Sequence, residues 1–337
     1  MRNIKFRSYY IYLYILLFKL YLSYGKDFYI TSNSTYFDSN SDVYIDTLIN
    51  NESQNEAINL YFMDDLYDFS IKFNNDINIY NDINIIGMSN NGTIFDFKNT
   101  RKGSMLINYS SKSGYKILFK NIIFQNFNSN GDEKVSLFQM TSTPVEQKIY
   151  FEDCIFQNNN CILIKMQRHN GCDINLEEEK FSTISLDNCY FYNNRELLFY
   201  IIMKEVTALA LESLFQRVII NNSRFEYNDN IIRLQSGNLF INNSTFNNNY
   251  SKKNEATAQF IDSYGYKNKV IVKDSQISNI KLVDDLPLIF IKKSYMKIYN
   301  CRINNIVGSY YHMIRIKIAP TIELEKNYIY QIRIFII

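Results

Sequence analysis

Residues 239–248 run apolar, free, apolar, polar, Asn, and then Ser-x-Phe-x-Asn: Leu239-Phe240-Ile241-Asn242-Asn243-Ser244-Thr245-Phe246-Asn247-Asn248. The same plan recurs at residues 117–126, 149–158, 184–193, 218–228, 270–279, 296–305 and 322–331, and in the copy at 218–228 the closing Asn falls one place late. The anchor position holds Phe124, Phe156, Phe191, Phe225, Phe246, Ile277, Ile303 and Ile329, at intervals of 32, 35, 34, 21, 31, 26 and 26 residues. A constant motif with variable spacers predicts stacked coils joined by loops of unequal length.

Within each copy the apolar–free–apolar start is strand alternation. The polar-Asn pair predicts a tight turn, because Asn and Asp tolerate such backbone and bond to it. A short second strand then turns a small Cys or Ser and a large Phe or Ile inward. A third apolar run follows in most coils, at 161–166, 197–203, 230–234, 258–261, 286–291 and 313–316. Three strands per coil predict an all-β, single-stranded right-handed parallel β-helix of about ten to eleven coils, a rod of roughly 50 Å. Stacking places like on like. The anchors are expected to form one inner ladder, each contributing roughly 1.5–3 kcal/mol. Asn121, Asp153, Asn188, Asn222, Asn243, Asp274 and Asn300 are expected to form a second ladder at the turn.

This repeat resembles that of the pectin-lyase-like right-handed β-helix superfamily over roughly residues 42–337. The run Ile83-Asn84-Ile85-Ile86-Gly87 resembles the opening coils of such proteins, where a strand ends on Ile-Ile-Gly. The resemblance is one of repeat architecture and implies fold more than activity.

Residues 1–25 read as a secretory signal peptide: Arg2, Lys5 and Arg7, an apolar core over 9–22, then Ser23-Tyr24-Gly25. No membrane span is expected after its cleavage. Residues 26–41 are rich in Ser, Asn and Asp and read as a loose leader. Residues 41–50 predict a short amphipathic cap, with Asp42 near its start, over the open end of the solenoid. The β-helix proper is expected over 42–337, with the cap and first coils at 42–110 and regular repeats over 117–337. Two insertions break the rhythm, at 167–183 (His169, Cys172 and Glu177-Glu178-Glu179) and at 204–216, where Ala208 to Glu212 favours a lateral helix. Residues 328–337 read as strand with no cap, tail, membrane span or lipid signal after it. That end is expected to be capped by a partner or to continue beyond this sequence.

Charge nearly cancels, with 36 Lys and Arg against 34 Asp and Glu. No basic stripe interleaves with aromatics, which argues against nucleic acid. Cys154, Cys189 and Cys301 share the small inward position that Ser223, Ser244 and Ser275 fill elsewhere. Burial accounts for them first, and a Cys154–Cys189 disulfide between adjacent coils is geometrically open. Asn-x-Ser/Thr sequons start at Asn33, Asn51, Asn91, Asn108, Asn221, Asn242, Asn243 and Asn249, only mildly more than 45 Asn would give by chance.

The resemblance also names chemistry to look for. Acidic-polysaccharide lyases on this fold bind calcium through carboxylates and use Arg or Lys as base, and related hydrolases use an Asp trio, a His and an Arg-Ile-Lys segment. Asp284-Asp285, His312 and Arg315-Ile316-Lys317 occur here in that order. The set reads as coincidence: Asn-Thr-Asp is absent, no Gly flanks His312, and His312 stands only three residues from Arg315. Asp64-Asp65 lies in an early turn without a visible partner. No catalytic, cofactor or metal residue is therefore assigned, and no cofactor is expected. Outward Tyr150, Tyr190, Tyr192, Tyr299 and Tyr328 offer faces for stacking on sugars. The leading reading is a secreted or cell-surface protein with a non-catalytic structural, adhesive or polysaccharide-binding role. Its expected partner is an extracellular polysaccharide or a cell-surface protein. The alternative is a polysaccharide lyase or glycoside hydrolase acting on an acidic polysaccharide.

Overall fold

A computed structural model describes residues 25–38, 43–109, 114–142, 148–168, 182–203, 216–235, 237–250, 258–264, 268–282, 286–308, 314–317 and 322–329. The signal peptide, His169, Cys172, Glu177 to Glu179, the expected lateral helix, Asp284, Asp285 and His312 lie outside these residues.

Alternation becomes three parallel sheets. The first has eleven strands, the second ten and the third nine, and each strand pairs with its counterpart in the coils before and after. Among the described residues nine coils thus carry all three strands, slightly fewer than the ten or eleven expected. The incomplete coils are at the ends, where the first sheet adds Lys26–Ile30 and Ile322–Glu325. Returns between strands of one sheet are parallel crossovers, a connection that is right-handed in almost all known folds.

The anchor ladder forms in the expected register, Phe124–Phe156–Phe191–Phe225–Phe246–Ile277–Ile303–Ile329, and extends one coil earlier to Phe95. Ring centroids of Phe156, Phe191, Phe225 and Phe246 follow at 4.7, 4.4 and 4.5 Å, with planes within 12° of parallel.

The first turn also forms as predicted. Asn121, Asp153, Asn188, Asn222, Asn243, Asp274 and Asn300 all hold the left-handed conformation, with φ between 46° and 55°. Asn and Asp enter this region at least cost among residues with a side chain. The amide ladder expected there is only partly continuous. Asn188 donates to Asp153 at 2.7 Å and Asn243 to Asn222 at 2.8 Å, but Asn222 turns to Asp187 and Asn121 to the Gly87 carbonyl. Gly87 is needed for that contact, because a Cβ there would collide with the Asn121 carbonyl oxygen.

A third ladder, not anticipated, lies inside the rod after the second strand. Asn159, Asn194, Asn228 and Asn249 are buried and bond in series, Asn159 Nδ2 to Asn194 Oδ1 at 3.0 Å, Asn194 to Asn228 at 2.9 Å and Asn228 to Asn249 at 3.2 Å. Each Nδ2 also reaches an anchor carbonyl in the coil before, and the Asn159, Asn194 and Asn228 backbone N–H groups each donate to the next Oδ1. Every polar atom of these amides therefore has a partner, as burial requires.

Residues 26–38 are not a loose leader. Lys26–Ile30 pairs with Ile58–Phe62, and Phe37, in a short 3-10 turn over Thr35–Phe37, packs edge-on against Phe62 and Phe69. Apolar Phe28 and Ile30 supply the alternation that the polar composition hides. The cap is a helix over Ile45–Glu52, with Ile45, Leu48 and Ile49 inward. It closes the open edge of strand Asn74–Ile79. Asp46 accepts from the Asp76 N–H at 3.0 Å, Asn50 accepts from the Asn78 N–H at 2.7 Å, and Asn50 donates to the Asp76 carbonyl at 2.7 Å. Unpaired edge groups are thereby satisfied by side chains.

Cys154, Cys161, Cys189 and Cys301 are buried free thiols. Burial, reinforced by neighbouring Cys189, holds the Cys154 thiol well above its ordinary range. Both thiols donate to backbone carbonyls, Cys154 to Phe119 and Cys189 to Phe151, each at 3.4 Å.

Candidate functional site

Pairing across coils decides which outward side chains become neighbours. On the second sheet one outward row reads Ile155, Tyr190, Arg224, Thr245, Gln276, Arg302, Tyr328. A parallel row beside it reads Gln157, Tyr192, Glu226, Asn247, Ser278, Asn304. From Tyr190 to Tyr328 there are five register steps, about 24 Å at ~4.8 Å each.

At one end stands a polar clasp. Arg224 donates to Glu226 Oε1 at 2.7 Å, the Tyr190 hydroxyl donates to Glu226 Oε2 at 2.8 Å, and the guanidinium lies 5.4 Å from the Tyr190 ring centre. Burial pushes the Glu226 carboxyl up, but the hydrogen bonds from Arg224 and Tyr190 and the Arg224 charge outweigh it and leave it below the usual range. Burial, then the bond to Glu226, pushes Tyr190 up to about 12. At neutral pH the clasp is a phenol, a carboxylate and a guanidinium with no net charge.

Around the clasp lies an aromatic surface. Tyr190 and Tyr192 have ring centres 5.8 Å apart, Tyr192 and Tyr227 5.7 Å, and Tyr227 and Tyr250 6.4 Å. Tyr227 is held at φ 56°, on a turn whose other rungs are Asn126, Asn158, Asn193, Asn248, Asn279 and Asn305, all at φ 51–62°. A bulky residue pays roughly 1–2 kcal/mol to sit there. Tyr227 is 37% exposed, so part of its ring stays open to solvent.

At the other end a shallow groove of about 340 Å³ crosses the corner between the first and second sheets, lined among others by Asp274, Gln276, Asn300, Arg302 and Tyr328. Asp274 lies 3.4 Å from Lys273 and accepts a bond from Asn300. Tyr328 is 63% exposed.

The five tyrosines singled out from the sequence thus divide. Tyr190, Tyr192 and Tyr328 share the second sheet. Tyr150 and Tyr299 face outward on the first sheet, where Lys273 and Lys297 lie 5.6 and 5.5 Å from the Tyr299 ring centre. Tyr227, Tyr250, Arg224, Glu226 and Arg302 were not anticipated. The one sequence signal for Tyr227 was the late Asn in residues 218–228.

Asp64, Asp68 and Asp96 have structural partners. Asp64 accepts from the Ser32 N–H and hydroxyl at 2.6 and 2.7 Å, which together hold it below the usual range, so it clamps the first strand. Stacking brings Asp68 and Asp96 side by side on the second sheet, but Asp68 is engaged by Ser70 and Asp96 by Lys98 and Asn126. Arg315 and Lys317 lie on the third sheet, level with Phe290 and Lys292. Among the described residues no group of three or more His, Cys, Asp or Glu is arranged to hold a metal ion.

Three parallel sheets joined by left-handed Asn turns are the stacked coils that the repeat predicts. The chain is a three-sheet parallel β-helix. No family model matches the sequence, and no curated protein matches it. Among solved structures, the A-module of mannuronan C-5 epimerase AlgE4 from Azotobacter vinelandii is similar at 11% identity and a TM-score of 0.20, over 82% of this chain and 90% of that one. At that score the likeness carries no argument, and the β-helix assignment stands on strand pairing within the chain itself.

Proposed function

We propose that this β-helix binds an extended polysaccharide along the outer face of its second sheet and does not cleave it. Tyr227 is the observation that carries this reading. An aromatic residue occupies a strained rung that Asn fills elsewhere, and its ring stays partly open to solvent beside two aromatic neighbours. Stacking on sugar faces is a use for exposed rings that packing does not explain. Glu226 supports a binding role over an acid–base one, because a carboxylate ionised well below neutrality and saturated by two donors is a poor general acid at pH 7. The signal-like residues 1–25 support a secreted or cell-surface location. Among the described residues no helix is long and apolar enough to cross a membrane.

Tyr227→Asn separates binding from stability. It restores the residue of the neighbouring rungs and should leave stability unchanged or raise it by about 1 kcal/mol. In affinity electrophoresis through gels containing soluble plant or microbial polysaccharides, the parent chain should be retarded by at least one polymer. Tyr227→Asn and Tyr190→Ala should bind it several-fold more weakly, and Tyr190→Phe should keep most of the effect through its ring. No new reducing ends or unsaturated uronates should appear on incubation. Equal retardation of the parent, Tyr227→Asn and Tyr190→Ala would remove the second sheet as the site.

A further inference from the structure

The polysaccharide-binding row carries two arginines that differ in one respect. Arg224 is committed to Glu226 at 2.7 Å. Arg302, three register steps or about 14 Å further along, is exposed, and among the described residues no carboxylate forms an ion pair with it. Its neighbours along the row are Gln276 and Tyr328, and beside it stand Ser278 and Asn304, all uncharged. The acid in the adjoining groove, Asp274, is already engaged by Lys273 and Asn300. A guanidinium beside an open groove and an exposed tyrosine presents a planar fork that matches a carboxylate or a sulfate ester.

The rest of the row sets the density of that charge. Between Tyr190 and Tyr328 the clasp is neutral, and Thr245 and Gln276 carry no charge. A polymer with an acid on every sugar would lay several negative groups over about 24 Å against one uncommitted cation among the described residues of the row. A polymer with no acid would leave Arg302 without use. Resting on the binding reading above, we propose that the ligand is a neutral-backbone polysaccharide bearing sparse acidic substituents. Arg302 holds one substituent in the groove, and the tyrosines stack on the unsubstituted sugars.

Four probes test this by affinity electrophoresis and calorimetry: unsubstituted xylan, glucuronoxylan, lightly sulfated xylan and polygalacturonate. The parent chain is expected to bind glucuronoxylan or sulfated xylan about three- to tenfold more tightly than plain xylan, and the better of the two identifies carboxylate or sulfate as the substituent. Arg302→Gln should abolish that preference, bringing the affinity for the substituted xylan down to that for plain xylan. High salt should do the same, because the contact is exposed. If the parent binds plain and substituted xylan equally and Arg302→Gln changes nothing, the Arg302 assignment fails while the binding face stands. Tightest binding to polygalacturonate would overturn the sparse-charge argument. Binding to none of the four, nor to any polymer in the broader panel, would overturn both.

Discussion

Asn194→Leu is expected to lower the free energy of unfolding by about 2–6 kcal/mol, measured by urea denaturation. Leu keeps the branched side-chain skeleton of Asn, so the loss is chiefly one of hydrogen bonds. Asn194 Oδ1 accepts from the Asn159 N–H and Nδ2, and its own Nδ2 donates to the Phe156 carbonyl at 2.8 Å. Without the amide, the Asn159 N–H and the Phe156 carbonyl lose these partners in the interior, where each stranded group costs about 1–3 kcal/mol. A domain of ordinary stability holds only about 5–15 kcal/mol in total. Asn193→Gly provides the control: half-buried Asn193, its neighbour in sequence, holds the left-handed turn that Gly also accepts, and it donates to Asn158 in an exposed bond that water can replace. A loss at Asn194 no larger than at Asn193 would show that the buried series is not a stabilising element.

Phe246→Asp should prevent folding outright. Phe246 is fully buried, stacked 4.5 Å from Phe225 and edge-on to Phe260 at 4.5 Å. Removing the ring alone would cost about 3–5 kcal/mol. A carboxylate in its place has no cation or donor to meet, and the added desolvation exceeds what remains. The matched change one residue earlier, Thr245→Asp, faces outward on the same strand and should move stability by no more than about 0.5 kcal/mol. Circular dichroism and secreted yield read both. A folded, secreted Phe246→Asp chain would contradict the ladder.

The fold was legible because it is written locally and then repeated. Apolar–free–apolar followed by an αL-tolerant Asn specifies strand and turn within five residues, and eight copies fix the stacking register. The interior Asn ladder was not legible for a related reason. Asn158-Asn159, Asn193-Asn194 and Asn248-Asn249 each look like one turn signal, and nothing in a single pair says that the first Asn takes the turn while the second goes inside. The late Asn of residues 218–228 held the clue: Asn228 keeps the interior place, and Tyr227 takes the turn. The first strand was not legible because the polar composition around it hides the short Phe28–Ile30 alternation.

The candidate site was legible only in part. Tyr190 and Tyr192 announce themselves as outward residues of a strand. Their neighbours Arg224, Tyr227 and Glu226 come from the next coil, more than thirty residues away. Register across unequal loops, rather than any motif, brings them together. The same register sends Tyr150 and Tyr299 to a different face.

That division of tyrosines allows a direct test of the binding face by hydroxyl-radical footprinting, read by mass spectrometry. The chain would be labelled alone and when saturated with the polysaccharide that retards it most. Tyr192, Tyr227 and Tyr328 should lose reactivity several-fold on binding, while Tyr29 and Tyr299 on the first sheet keep theirs. Protection of the first-sheet tyrosines, with Tyr192, Tyr227 and Tyr328 unchanged, would contradict the account.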